Sequence, residues 1–200
     1  MSLPAIVLAA GASRRLGQPK QLVQLEGETL LSRTIRVTLE AGVRPLCVVL
    51  AADSEGMLTG VDESFVQAVV NHQCERGIAT SIHAGLHWLS QDQPEAQGVL
   101  MLVCDQPRLT TEHIRTLIDR SVQTHWNCIV ASVYAGVRGV PAIFPRSDFA
   151  KLLALQGDKG ARNLLQHAAS LVIDVPFPDG VIDIDTPEDL ARHIPNFTRR

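Results

Sequence analysis

The chain has 200 residues, 46% of them hydrophobic, 20% charged and 4% aromatic, and 18 Lys and Arg stand against 21 Asp and Glu for a formal net charge of −3. Chains of about 100 to 200 residues usually fold as one unit, so residues 1–200 are expected to form a single globular domain rather than a disordered chain. No basic block that could track a phosphate backbone occurs, which argues against a nucleic-acid partner, and the longest apolar runs, Leu46 to Ala52 and Val99 to Cys104, fall far short of the roughly 20 residues that cross a bilayer.

The N-terminal stretch MSLPAIVLAAG has no Lys or Arg ahead of its apolar run and does not read as a secretory signal, so a cytoplasmic protein is expected. Short runs rich in Val, Ile and Leu then alternate with stretches of helical period. That is the pattern of an α/β fold whose mostly parallel sheet is covered on both faces. In chain order the predicted strands are Ala5 to Ala10, Leu46 to Ala51, Val66 to Val70, Val99 to Cys104, Cys128 to Val133, Ala142 to Phe144 and Leu171 to Val175. Leu31, Ile35 and Leu39 predict a helix that Gly42 closes. Thr110 caps a second helix with Ile114, Leu117, Ile118 and Val122 on its apolar face, and Thr186 with Pro187 starts a third. The cysteines at 47, 74, 104 and 128 show no C-x-x-C pair and predict neither a disulfide nor a zinc site.

In open α/β sheets ligands lie beyond the carboxyl ends of the strands, so the residues that follow the apolar runs carry the functional argument. After the first run comes LAAGASRRLGQPK, Leu8 to Lys20. Small residues and glycines let backbone N–H groups approach an anion, and Arg14, Arg15 and Lys20 supply positive charge for phosphate oxygens; a solvated turn with ordinary cations is the plainer alternative. The spacing is not a P-loop, because Lys20 stands three residues after Gly17 and precedes Gln21. A dinucleotide fingerprint is disfavoured because Ser13, Arg14 and Arg15 stand where glycines are wanted, although Asp53 after the second strand keeps it open.

The fourth run ends in Val103-Cys104-Asp105-Gln106-Pro107. A carboxylate at that edge suits Mg2+, which takes one or two carboxylates and leaves its other positions to water and phosphate; a turn aspartate is the alternative. Near the C-terminus, Asp183 and Asp185 lie on one side of an extended segment, and Asp185 equally suits a helix start. Ahead of Asp105, NHQCERGIATSIHAGL (71–86) places small residues, Ala79, Ser81, Ala84 and Gly85, where either a flat ligand or a packed helix would want them. Lys159 and Arg162 in GDKGAR suit a second anion or a solvated helix start.

Taken in order, LAAGxSxRxGxPK (8–20), ERGIATSIHAGL (75–86), DQP (105–107), RGVPAIF (138–144), GDKGAR (157–162) and DIDTPEDL (183–190) resemble the molybdenum cofactor nucleotidyltransferases, most closely the cytidylyltransferases. The resemblance covers Leu8 to Leu190. It implies a Rossmann-like, three-layer fold of the nucleotide-diphospho-sugar transferase type. It also implies that Ala9, Ala10, Gly11, Ser13, Arg14 and Lys20 bind the nucleotide, with Arg14, Lys20 and Asp105 as the catalytic set. Asn71, Ser81 and Gly85 would flank base and ribose. Asp105 with Asp185 would bind Mg2+, and Arg138, Gly139, Pro141, Lys159, Arg162 and Asp183 would form the acceptor side.

The activity implied is transfer of CMP from CTP to the phosphate of molybdopterin, with pyrophosphate released. CTP is preferred because Ala9-Ala10-Gly11 stands where the guanylyl branch of the resemblance has two glycines. The alternatives are GTP as donor, another phosphorylated acceptor, or a non-catalytic carrier that delivers the cofactor to a client molybdoenzyme of the xanthine dehydrogenase type.

Overall fold

The computed structural model describes residues 3–13, 15–52, 54, 56–59, 61, 64–167 and 171–193. The first apolar run forms β1 (Ala5–Leu8), two residues shorter than its sequence pattern. It is followed by a small hairpin of β2 (Gln24–Leu25) and β3 (Glu28–Thr29), then α1 (Leu30–Glu40), β4 (Leu46–Ala51), β5 (Val66–Asn71), α2 (Ile78–Asp92), β6 (Gly98–Val103) and α3 (Thr111–Gln123). The order is completed by β7 (Ile129–Tyr134), β8 (Val137–Pro145), α4 (Phe149–Leu153), α5 (Ala161–His167), β9 (Val172–Pro176) and α6 (Pro187–His193). The caps are those the residue types favour: the Thr29 hydroxyl accepts the Ser32 N–H at 3.0 Å, and the Thr110 hydroxyl accepts that of His113 at 3.2 Å. Among the described residues no helix is long and apolar enough to cross a membrane.

Seven strands make one sheet in the order β5-β4-β1-β6-β8-β7-β9. All neighbours are parallel except β8, which runs against both β6 and β7. Only the Ala142 to Phe144 core of β8 is legible as a strand, because Gly139 and Pro141 interrupt its pattern. Pro141 is tolerated mid-sheet at a bulge: β7 pairs Ala131 with Ala142 and then Ser132 with Gly139, passing over the two residues between, which is where a strand admits a residue without an N–H.

Side chains alternate across the sheet and build a core on each face. Ala5 and Val7 of β1 join Leu46, Val48 and Leu100 against α1 and α3. Ile6 and Leu8 join Cys47, Val49 and Met101 against α2, α4 and α5. A third, smaller cluster of Leu16, Val23, Leu30, Ile184 and Leu190 lies apart from the sheet and fastens the glycine loop to the acidic segment and α6.

Gly85 belongs to this packing and not to a ligand surface. A Cβ built there would stand 2.6 Å from Ile6 Cγ2, so the missing side chain is what lets α2 settle on β1. Overpacking of this kind costs about 1–3 kcal/mol, and a domain of this size loses roughly 2–4 °C per kcal/mol. Gly85→Val is therefore expected to lower the calorimetric midpoint by several degrees. An unchanged midpoint would show that α2 and β1 do not meet here.

Candidate active site

β1 and β6 pair in parallel with Leu8 opposite Val103, so their carboxyl ends lie side by side. The chain departs from β1 toward β4 on one side and returns to β6 on the other, and a crevice opens where the connections diverge. A cleft of about 410 Å³ lies there, within the usual size of small-molecule sites. Its walls are Leu8 to Ala12, Lys20 and Gln21 from the first loop, Cys74, Glu75, Gly77, Ile78 and Ser81 at the head of α2, Val103 to Asp105 after β6, and Asp158.

Lys20 is the central charge. Its Nζ donates to Asp105 Oδ2 and, at 3.1 Å, to Asp185 Oδ1, with only 17% of the lysine side chain exposed. Burial alone would weaken the ammonium, but Asp105 and then Asp185 hold its pKa well above the ordinary lysine range. The Asp185 carboxylate also accepts from Arg15 Nη2 at 2.7 Å. Asp185 is free for these contacts because the helix start is capped by others: Thr186 N–H and hydroxyl donate to Asp189 Oδ2 at 2.9 and 2.7 Å, and Asp189 N–H donates back to the Thr186 hydroxyl at 3.2 Å. Ile184 N–H donates to the Asp105 carbonyl at 3.1 Å, laying the acidic segment beside β6.

Asp183 adds to the negative field of the site. Partial desolvation, followed by the charges of Asp105 and Asp185, pushes its carboxyl above the ordinary range. Among the described residues no group of three or more His, Cys, Asp and Glu side chains stands close enough to hold a metal by itself. The fit to a divalent ion rests on the pair: Asp105 and Asp185 already converge on one cation, the Lys20 ammonium, and Mg2+ needs no more than one or two carboxylates when phosphate and water complete its shell.

The other sequence candidates separate into those at the cleft and those beside it. Ala9, Ala10, Gly11, Ser81, Lys20 and Asp105 line it. Ser13, at φ +47°, closes the loop by accepting the Lys20 N–H on its hydroxyl at 3.0 Å. Asn71 stands behind the wall: its Nδ2 donates to the Thr80 and Ser81 hydroxyls, each at 2.9 Å, so it orients Ser81. Arg138 is paired with Asp174, Nε to Oδ1 at 2.7 Å, and Gly139 is packed beneath the Tyr134 hydroxyl. Lys159 and Arg162 are exposed around the start of α5. Burial raises the Tyr134 phenol, which also feels the charges of Arg162, Asp105 and Asp183. Arg14 and Asp53 lie outside the described residues.

A family model described as MobA-like NTP transferase domain matches residues 5–172. The chain belongs to this family. Among relatives, the purine catabolism protein PucB of Bacillus subtilis is 29% identical over 197 residues, 94% of this chain and 93% of PucB. A molybdenum cofactor guanylyltransferase of Rhodobacter capsulatus is 27% identical over 194 residues, 96% of this chain and 95% of that one. Among solved structures, Rv0371c from Mycobacterium tuberculosis superposes with a TM-score of 0.81 at 30% identity, covering 98% of this chain and 100% of that one. A second structure of Rv0371c is a complex with manganese, with a TM-score of 0.78, 27% identity and coverage of 98% and 100%.

One buried group of this MobA-like domain supports the bulge of β7 and β8. Ser132 donates its hydroxyl to the Pro141 carbonyl at 2.6 Å and lies 2.7 Å from His113 Nε2, while the His113 ring stacks on Phe177 at 4.3 Å between centroids. Because the Ser132 proton is directed at Pro141, the imidazole donates to Ser132. Burial pushes the His113 pKa down to about 4. An unfolded histidine titrates near about 6.5, so between these values the unfolded chain binds more protons and stability falls as pH falls. The thermal midpoint is expected to drop from pH 6.5 to pH 4, and His113→Gln, which keeps a donor for Ser132, is expected to flatten that slope. An identical slope in the variant would assign the titration elsewhere.

Proposed function

We propose that the protein transfers CMP from CTP to the phosphate of a molybdopterin-type acceptor. The observation that carries this is the Lys20 ammonium set between Asp105 and Asp185 at the mouth of a glycine-lined cleft. An acceptor phosphate oxygen attacks the α-phosphorus, the bond from the α-phosphorus to the bridging oxygen breaks, and pyrophosphate departs. A phosphate is already ionised near neutral pH, so no general base is needed, and rate comes from positioning and charge neutralisation. In this reading the backbone of Ala10 to Ala12 cradles the phosphates with Arg14, Lys20 meets the developing charge, and Asp105 with Asp185 would hold Mg2+. When bound, Mg2+ neutralises phosphate charge and orients the leaving group. Ser81, oriented by Asn71, would meet the nucleoside, and the surroundings of Tyr134, with Arg138, Gly139, Pro141, Lys159, Arg162 and Asp183, would receive the acceptor.

For the base, CTP rests on the resemblance, in which the guanylyl branch has glycine where Ala10 stands. The guanylyltransferase named among the relatives makes GTP the second reading.

A thermal-shift comparison with CTP, GTP, ATP and UTP, each with and without Mg2+, tests the donor. A nucleotide at about 100 times its dissociation constant adds roughly 2.7 kcal/mol, or about 5–10 °C for a domain of this size. A Mg2+-dependent shift with CTP alone is expected; GTP alone would change the product, and no shift with any nucleotide would favour the carrier. Lys20→Ala and Asp105→Ala are each expected to slow transfer about 10²-fold or more, and a folded variant with normal turnover would remove that residue from the mechanism.

A further inference from the structure

A buried glutamine follows each member of the central ion pair. Gln21, after Lys20, is 3% exposed and donates its Nε2 to the carbonyls of Ala9 and, at 3.1 Å, Gly11. Gln106, after Asp105, is 5% exposed and donates its Nε2 to the carbonyls of Val140, at 3.1 Å, and Gly180, at 3.3 Å. In both, the amide nitrogen bridges two backbone carbonyls, while Oε1 is buried with no hydrogen-bond partner among the described residues. A buried unpaired oxygen costs free energy, so the amide is held for what its nitrogen joins.

Gln106 joins segments that the sheet does not. The register of β7 and β8 passes over Val140, and the Val140 carbonyl takes Gln106 Nε2 and the Tyr134 hydroxyl, the latter at 3.2 Å. Gly180, the other carbonyl, lies just ahead of the segment bearing Asp183 and Asp185, which is also tied by Ile184 N–H to the Asp105 carbonyl. The turn through Gly180 leaves no room for a side chain, because a Cβ there would enter the rings of Phe177 and Tyr134. One amide therefore spans the loop after β6, the bulge of β8 and the approach to the acidic segment.

We propose that Gln106 is a positioning residue of the transfer reaction: its side-chain amide fixes the acceptor segment around Val140 and the acidic segment ahead of Asp185 at set places relative to Asp105. This rests on the nucleotidyl-transfer reading above. The nucleotide is placed by the first loop, which Gln21 braces, whereas the attacking phosphate is placed from the β8 side. In-line attack needs the two in register, and a displacement of about 1 Å can cost 10²-fold in rate. The two glutamines should therefore separate kinetically, Gln106 governing the acceptor and Gln21 the nucleotide.

The test compares full-length Gln106→Met and Gln21→Met with the unaltered protein, using CTP or GTP, whichever binds, and molybdenum cofactor released from a purified molybdoenzyme. Gln106→Met is expected to leave the nucleotide dissociation constant within about twofold while kcat over KM for the acceptor falls about 10²-fold. Gln21→Met should instead weaken nucleotide binding. Hydrogen exchange without substrate should show lost protection in residues 137–141 and 178–186 of Gln106→Met, with residues 5–13 unchanged. If the methionine does not fold, Gln106→Asn, which keeps the amide but withdraws it by one methylene, should give the same pattern to a smaller extent. Unaltered acceptor kinetics, or nucleotide binding and protection lost everywhere in step, would overturn the assignment. If the unaltered protein transfers no nucleotide, the functional reading falls, and the exchange pattern still decides whether Gln106 holds these segments.

Discussion

Two carboxylates facing one cleft repel each other unless a cation lies between them, and that requirement organises this molecule. Asp105, Asp185 and Lys20 come from three distant parts of the chain. The ammonium keeps its charge against desolvation because the carboxylates outweigh the loss of water. Buried ion pairs contribute little net stability against the cost of desolvation, so the trio is held by its surroundings. Leu16 and Val23 on the lysine side pack with Ile184 and Leu190 on the aspartate side, and each buried aliphatic side chain is worth about 1.5–3 kcal/mol. The small apolar cluster sets the place, and the ion pair sets the charge.

The sheet divides the work around that point. The loop after β1, the head of α2 and the residues that follow β6 form the walls of the cleft, while β8 and β7 continue the sheet beyond β6. Ala79 N–H donates to the Gly157 carbonyl at 3.1 Å and a side chain on Gly77 would strike the Gly157 backbone, so the head of α2 packs directly on the loop ahead of α5.

Much of the fold was legible because parallel strands buried on both faces leave apolar runs that need no partner to be recognised. Leu46–Ala51 coincides with its run, and β1, β5, β6, β7 and β9 match theirs to a residue or two, whereas β8 begins five residues ahead of its expected core and the β2–β3 hairpin was not foreseen. The direction of β8 was not legible, because pairing is a property of distant segments and Gly139 and Pro141 break the run. At the site, Lys20, Asp105 and Asp185 stood out as charges beside glycine and strand ends. Gly85 looked like a place for a ligand to approach, yet it admits the Ile6 side chain instead, and spacing does not tell one use from the other. Gln106 entered only as the middle residue of DQP and Gln21 only as the residue after Lys20, with no role for either amide, since a neutral amide in a polar loop differs from its neighbours only once the carbonyls it bridges are known.

The antiparallel strand has a further effect. Because β8 runs backward, the hairpin joining it to β7 turns at the ligand edge of the sheet, with Tyr134 paired to Val137 across a two-residue connection. Ala135 and Gly136 both have positive φ, 49° and 74°, the geometry of the tight turn that matches strand twist. Nothing lies within 4 Å of a Cβ placed on Gly136. Surface hairpins accept insertions at little thermodynamic cost, so a longer connection here would leave the strands beneath paired. The carboxyl edge of the sheet can therefore change its outline at a single turn without disturbing the charged centre.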